Sequence, residues 1–141
     1  MRYKNSFIIK EDERLWGGRL DNEGNHIDSM LLNLGHGRKY LCCLGEIAKQ
    51  CGSRLEEIRS ICEPEEILRI PKRLRFLLDE EGHNSELAQE AMIINDDMVY
   101  TKKAYTEKKK KLIELFKMHG YKITFVASPG YAKRVLSQLT G

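Results

Sequence analysis

A chain of 141 residues has the size of one domain, and its 41% apolar and 32% charged residues make it polar for a folded protein yet too apolar for a disordered one. No apolar run nears the ~20 residues that cross a bilayer, which excludes a helical membrane span. Residues 1–100 carry 14 Lys and Arg against 19 Asp and Glu, a net −5, whereas residues 101–141 carry 10 against 2, a net +8.

In chain order, the start Met1-Arg2-Tyr3-Lys4-Asn5-Ser6 has no apolar stretch of the secretory kind and reads as a mature cytosolic end. Phe7-Ile8-Ile9, between charged residues, predicts a short strand within Arg2–Lys10. Trp16 is followed by a Gly17-Gly18 joint, and residues 20–37 are loop-like except for Ser29-Met30-Leu31-Leu32, one turn of helix or a strand. From Leu41 the spacing of Leu44, Ile47, Ala48 and Cys51 predicts a helix that Gly52 stops. Ser53-Arg54-Leu55-Glu56 matches a capping box, so a second helix is expected there, with Leu55, Ile58 and Ile61 or Cys62 inward.

Glu63-Pro64-Glu65-Glu66 has proline where a helix begins, and Pro71 ends that piece early. Residues 73–78 are ambiguous between strand and helix. Asn84 or Ser85 caps a helix to about Ile93 that buries Leu87, Ala88, Ala91 and Met92. A longer helix is expected from Glu107 to His119, capped at Thr106, with Leu112, Leu115 and Phe116 inward and Lys108 to Lys111 on its outer turns. Tyr121 to Val126 alternates as a strand, Ser128-Pro129-Gly130 turns the chain, and Tyr131 to Leu139 reads as a terminal helix. The expected fold is therefore α+β, a helix-rich single compact domain over residues 1–141 with a small, mostly antiparallel sheet of two to four strands.

Four cysteines (Cys42, Cys43, Cys51, Cys62) fall within 21 positions and leave most of the chain unstapled, which fits reduced thiols better than a disulfide framework. They lack the Cys-x2–4-Cys knuckles of structural zinc, and the four histidines are scattered. Packing is the favoured reading, with metal ligation and a reactive thiol as alternatives. Asp79-Glu80-Glu81 and Asp96-Asp97 are carboxylate clusters whose plain reading is solvated surface, and Asn95-Asp96 suits a cap and turn after its helix. No phosphate loop, dinucleotide fingerprint, serine elbow or zinc-helix motif is present, so no catalytic residue, cofactor or metal is assigned.

Two Gly-Arg turns carry the strongest ligand signal. Trp16-Gly17-Gly18-Arg19 and Leu34-Gly35-His36-Gly37-Arg38-Lys39 place guanidinium groups beside backbone that a ligand can approach. An Arg fork recognises carboxylate or phosphate, and the Trp16 face suits a base or a cation. Against this stands an ordinary loop whose arginines pair with surface acids. Trp16, Arg19, Arg38 and Lys39 are the candidate ligand-binding residues, with Asn95 as a polar reader.

Gly37-Arg38-Lys39-Tyr40-Leu41-Cys42-Cys43-Leu44-Gly45, with Ile94-Asn95-Asp96-Asp97 and the amphipathic Lys108–Phe116 stretch after it, resembles a group of small uncharacterised bacteriophage-encoded proteins. In that group Cys-Cys-Leu-Gly opens a helix, and an Asn-Asp turn follows a later one. The likeness covers about residues 14–126. Ala48 stands where the group commonly has a further cysteine, which weakens any shared metal site.

The resemblance implies a phage accessory protein in the cytosol of a bacterial host, acting as a defence antagonist. Such a binder would neutralise a host protein or sequester a small anionic ligand such as a nucleotide. A non-catalytic binder of this kind, open to homo-oligomer formation, is the leading expectation. Nucleic-acid binding through the basic 102–122 surface and a thiol- or zinc-dependent enzyme are the alternatives; a pI near 8.6 lies below the ~9 usual for nucleic-acid-binding domains.

Overall fold

A computed structural model describes residues 2–11, 32–33, 40–97 and 101–127. The two segments with the clearest alternation pair along their full length. β1 (Asn5–Glu11) lies beside β4 (Tyr121–Ala127) in the register Asn5↔Tyr121 through Glu11↔Ala127. This pair is parallel, which corrects the expectation of a mostly antiparallel sheet. Parallel strands cannot be joined by a tight turn and need a long crossover; here the helices lie between β1 and β4 in the chain. Antiparallel pairing is seen in the two-residue ladder of β2 (Leu32–Asn33) with β3 (Tyr40–Leu41) and in the bridge Leu78–Asn84.

Successive strand residues face opposite sides. Phe7, Ile9 and Ile123 are buried, whereas Ile8, Lys10, Lys122, Thr124 and Val126 face outward. Phe76 stacks on Phe7 at 5.6 Å and on Tyr121 at 4.2 Å, tying both strands to the turn beneath them. The edge of β1 away from β4 is closed by a side chain. Gln50 accepts from the Ile8 N–H at 2.9 Å and donates to the Ile8 carbonyl at 2.5 Å, bonding both as a third strand would.

The first helix, α1 (Cys43–Gln50), buries Cys43, Leu44, Ile47 and Ala48, and Gly52 beyond it takes φ +110°, as its spacing predicts. Its cap is Cys42, whose Sγ accepts from the Gly45 N–H at 3.3 Å. The expected Ser53 capping box is displaced by one residue. α2 (Leu55–Ile58) is a single turn, and Glu57, not Glu56, reaches back to the Arg54 N–H at 2.9 Å. Arg69 grips Glu57 with two bonds of 2.7 Å, so the glutamate serves the turn and the ion pair together. Residues Pro64–Glu66 and Lys72–Leu77 form 3₁₀ turns, and the second resolves the ambiguous stretch by burying Leu74 and Leu77.

Ser85 caps α3 (Glu86–Asp96) through its hydroxyl, which accepts from the Ala88 N–H at 3.2 Å. Leu87, Ala88 and Ala91 are buried there and Met92 is half-buried. α4 (Lys102–Met118) begins earlier than expected because Thr101, not Thr106, accepts from the N–H three residues on, that of Ala104, at 3.0 Å. Among the described residues one core cluster collects apolar side chains from β1, the four helices, the 3₁₀ turn and β4. The expected Ser29–Leu32 element, except its last residue, and the 128–130 turn and 131–139 helix lie outside the described residues.

Two polar bonds lock the helices at one point. In the last turn of α3, the 3%-exposed Asn95 uses Oδ1 to accept the N–H of Cys43 at 3.2 Å, satisfying an amide that the first turn of α1 leaves without a helical partner. Just beyond α3, the Asp97 carbonyl accepts from the Lys108 ammonium of α4 at 2.9 Å. Substituting Asn95→Ala strands the Cys43 N–H in the core, so urea unfolding should show a loss of about 1–3 kcal/mol; an unchanged midpoint would show that this bond does not hold the joint.

Candidate functional site

The inward face of α4 is set by Tyr105, Leu112, Leu115 and Phe116, residues at helical spacing. Lys108 belongs to that same stripe. It is only 4% exposed, so the expectation that it lies on an outer turn is corrected; Lys110 and Lys111 are exposed as expected, and Lys109 is half-buried. Burial pushes the Lys108 ammonium down to about 8, opposed by the nearby carboxylates of Asp96 and Asp97. A lysine at an apolar position is expensive, and its carbonyl partner lies where the C-terminal end of α3 carries partial negative charge.

Lys108 forms part of the wall of a cleft of about 500 Å³ between α3 and α4. Ile93 and Ile94 line one side, Ala104 and Lys111 the other, and the acids Asp97 and Glu107 also border it. The arrangement offers two cationic side chains and an aliphatic wall within one concavity. It suits a molecule with a compact negative group and an apolar or flat body.

The cysteines are placed otherwise. Cys42, Cys43 and Cys51 are buried, and Cys62 is exposed. Burial pushes the Cys42 thiol up to about 12 and raises Cys43 and Cys51 as well, the opposite of what a thiolate nucleophile requires. Cys42 caps and Cys43 packs. Among the described residues, no three Cys, His, Asp or Glu side chains are grouped as a metal ion would need.

A more acidic concavity of about 550 Å³ includes Glu63, Glu65, Asp79 and His83. Its polar groups are largely engaged with one another. The buried Asn84 donates to Glu63 at 2.5 Å and to Glu65 at 3.1 Å and accepts from the Glu65 N–H at 3.0 Å, while His83 Nδ1 lies 3.1 Å from Glu65. The His83 contact holds the Glu65 carboxyl down, and the neighbouring Glu65 raises that of Glu63. Asp79 accepts from the Glu81 and His83 N–H groups, each at 2.9 Å, so it shapes a turn.

Of the residues singled out in the sequence, Trp16, Arg19, Arg38 and Lys39 lie outside the described residues, and Asn95 sits in the joint between α1 and α3. Sequence reasoning missed Lys108. Its signal was there in the step from Tyr105 through Lys108 to Leu112 and Leu115, which puts a lysine where the period calls for an apolar residue. No protein-family model, no curated protein and no solved structure matches this chain.

Two measurements test this electrostatic layout. The folded Lys108 pKa of about 8 lies below its ordinary 10.5, so between these values the unfolded chain holds more protons and this group's contribution to stability rises with pH. Lys108→Met removes this pH-dependent contribution, so the stability of wild type relative to the variant should rise by up to about 3 kcal/mol between pH 8 and pH 10.5; the comparison cancels the buried thiols, which act in the opposite sense above pH 9. A difference between the two that stays constant across that range would contradict the layout. With a disulfide-exchange chromophore, one thiol of the four, Cys62, should react quickly in the native chain and all four after unfolding.

Proposed function

We propose that the protein is a non-catalytic binder whose α3–α4 cleft takes a small anionic ligand. The negative group is held by Lys108 and Lys111, and the body of the ligand lies against Ile93, Ile94 and Ala104. The observation that supports this is the buried Lys108 in the cleft wall, a cation kept at a core position despite its desolvation. A phosphate or carboxylate beside that ammonium favours its protonated form, so binding takes up a proton and weakens above about pH 8. Given the resemblance to bacteriophage proteins, the first ligands to try are linear and cyclic nucleotides, sequestration of which would make the chain an accessory antagonist of host defence.

Isothermal titration of the full chain with such nucleotides and with inorganic phosphate tests the reading. Binding should fall at least tenfold in Lys111→Glu and in Lys108→Met, and the heat should vary with the ionisation enthalpy of the buffer between pH 7 and 9. No heat with any of them, or binding indifferent to both substitutions, would remove this function.

A second reading is favoured by the exposed lysines Lys102, Lys103, Lys110, Lys111, Lys117 and Lys122, which form a basic outer surface on α4 and β4. If that surface binds nucleic acid, affinity falls linearly on a log–log plot against salt with a slope of several phosphates. Lys108, being buried, contributes nothing to that slope.

A further inference from the structure

The flank of α4 opposite the cleft carries a groove of about 420 Å³, lined by Thr106, Lys110 and Ile113 of the helix and by Ile123, Thr124 and Phe125 of β4. Three consecutive strand residues point alternately to the two faces of a sheet, so a groove that touches all three runs along the strand's edge. β1 occupies the other edge of β4 along its whole length, which places the groove on the outer one. The corresponding outer edge of β1 is closed at Ile8 by Gln50. Among the described residues no strand pairs with the outer edge of β4.

The walls of this groove combine two properties. They are largely apolar, with Ile113 at 36% exposure although it lies on an otherwise polar helix face. The rim is cationic. Lys109 also borders the groove, its ammonium 4.7 Å above the Tyr105 ring, and Lys110 approaches Glu107 only at 3.8 Å, an exposed pair that leaves most of its charge to solvent. Lys122 stands exposed on the adjoining strand. Residues 101–141 hold only two acids, Glu107 and Glu114, so this region cannot neutralise itself from within.

We propose that this groove docks an extended, acidic segment of a partner protein, its apolar side chains set against Ile113 and its carboxylates against Lys109, Lys110 and Lys122. The excess positive charge selects an acidic partner over a basic one, and the aliphatic wall selects a segment with apolar anchors over a bare polyanion. The site is independent of the cleft on the other flank of the helix.

The test titrates the full chain into a fluorescently labelled ten-residue peptide alternating valine and glutamate, read by anisotropy. Peptides alternating valine with lysine, or serine with glutamate, serve as controls. The acidic apolar peptide should bind at least tenfold more tightly than either control and weaken as salt rises. Ile113→Asp and the double substitution Lys109→Glu with Lys110→Glu, both at the surface, should each reduce binding at least tenfold, whereas Lys72→Glu with Arg75→Glu, a charge change equal to that of the lysine pair but on the exposed side of the 3₁₀ turn, should not. Equal binding of the serine–glutamate peptide, or binding indifferent to Ile113→Asp, overturns the proposal. So does a single-stranded oligonucleotide that displaces the peptide and itself loses affinity in Ile113→Asp, which would assign the groove to nucleic acid. A dimer in sedimentation that Ile113→Asp abolishes would assign it to a second copy of the chain and equally overturn it.

Discussion

The end of α3 is the point on which the rest of this structure depends. Two bonds leave it in different directions, Asn95 to the first turn of α1 and the Asp97 carbonyl to the ammonium of Lys108 on α4. Each meets a need created by helix termini, where amides and carbonyls lack intrahelical partners. An apolar joint would leave the Cys43 amide stranded, and apolar packing is forgiving about rotation and slide in a way that directional bonds are not. The polar joint therefore fixes how three helices meet. In so doing it holds open the cleft in whose wall Lys108 stands.

The parallel pairing of β1 and β4 follows from the same arrangement. α4 leads through Gly120, at φ +89°, directly into β4, and the helix packs on the strand that follows it. A two-stranded parallel pair leaves an outer edge on each strand, and exposed edges invite pairing with other chains. At Ile8 the fold answers this with a side-chain amide. On the β4 side, helix α4 and its lysines border the edge instead. The two edges of one small sheet thus have unlike chemistry.

Much of this was legible in local pattern, because local pattern records burial. Leu44, Ile47, Ala48 and Cys51 marked α1; Leu87, Ala88 and Ala91 marked α3; and the alternation of residues 121–126 marked β4. Strand direction was not legible, since alternation is identical for a parallel and an antiparallel partner. The start of α4 was misplaced because Thr101 and Thr106 are equally good caps by type, and only the fold decides which hydroxyl meets an amide. Ser53 failed for the same reason. Lys108 escaped notice because a run of four lysines reads as one solvated face, although a helix turning about 100° per residue must carry one member of such a run inward. Asn95 read as part of a cap and turn after its helix and as a polar reader; its place inside the last turn of α3 and its partner Cys43, remote in the chain, were not legible.

That run of lysines also shows why net charge alone is a poor guide to function here. Lys108 is dry, bonded to a carbonyl and held below its ordinary pKa. Lys109 sits over an aromatic ring, and Lys110 and Lys111 are solvated on opposite flanks of the helix. Salt at physiological strength screens exposed charges beyond about 8 Å but reaches buried ones far less. An anion held on Lys108 as proposed would consequently keep much of its attraction at salt concentrations that would strip a polyanion from the outer lysines. The net +8 of this region is therefore a sum over unlike environments, and among the described residues Lys108 is the one lysine that the fold buries.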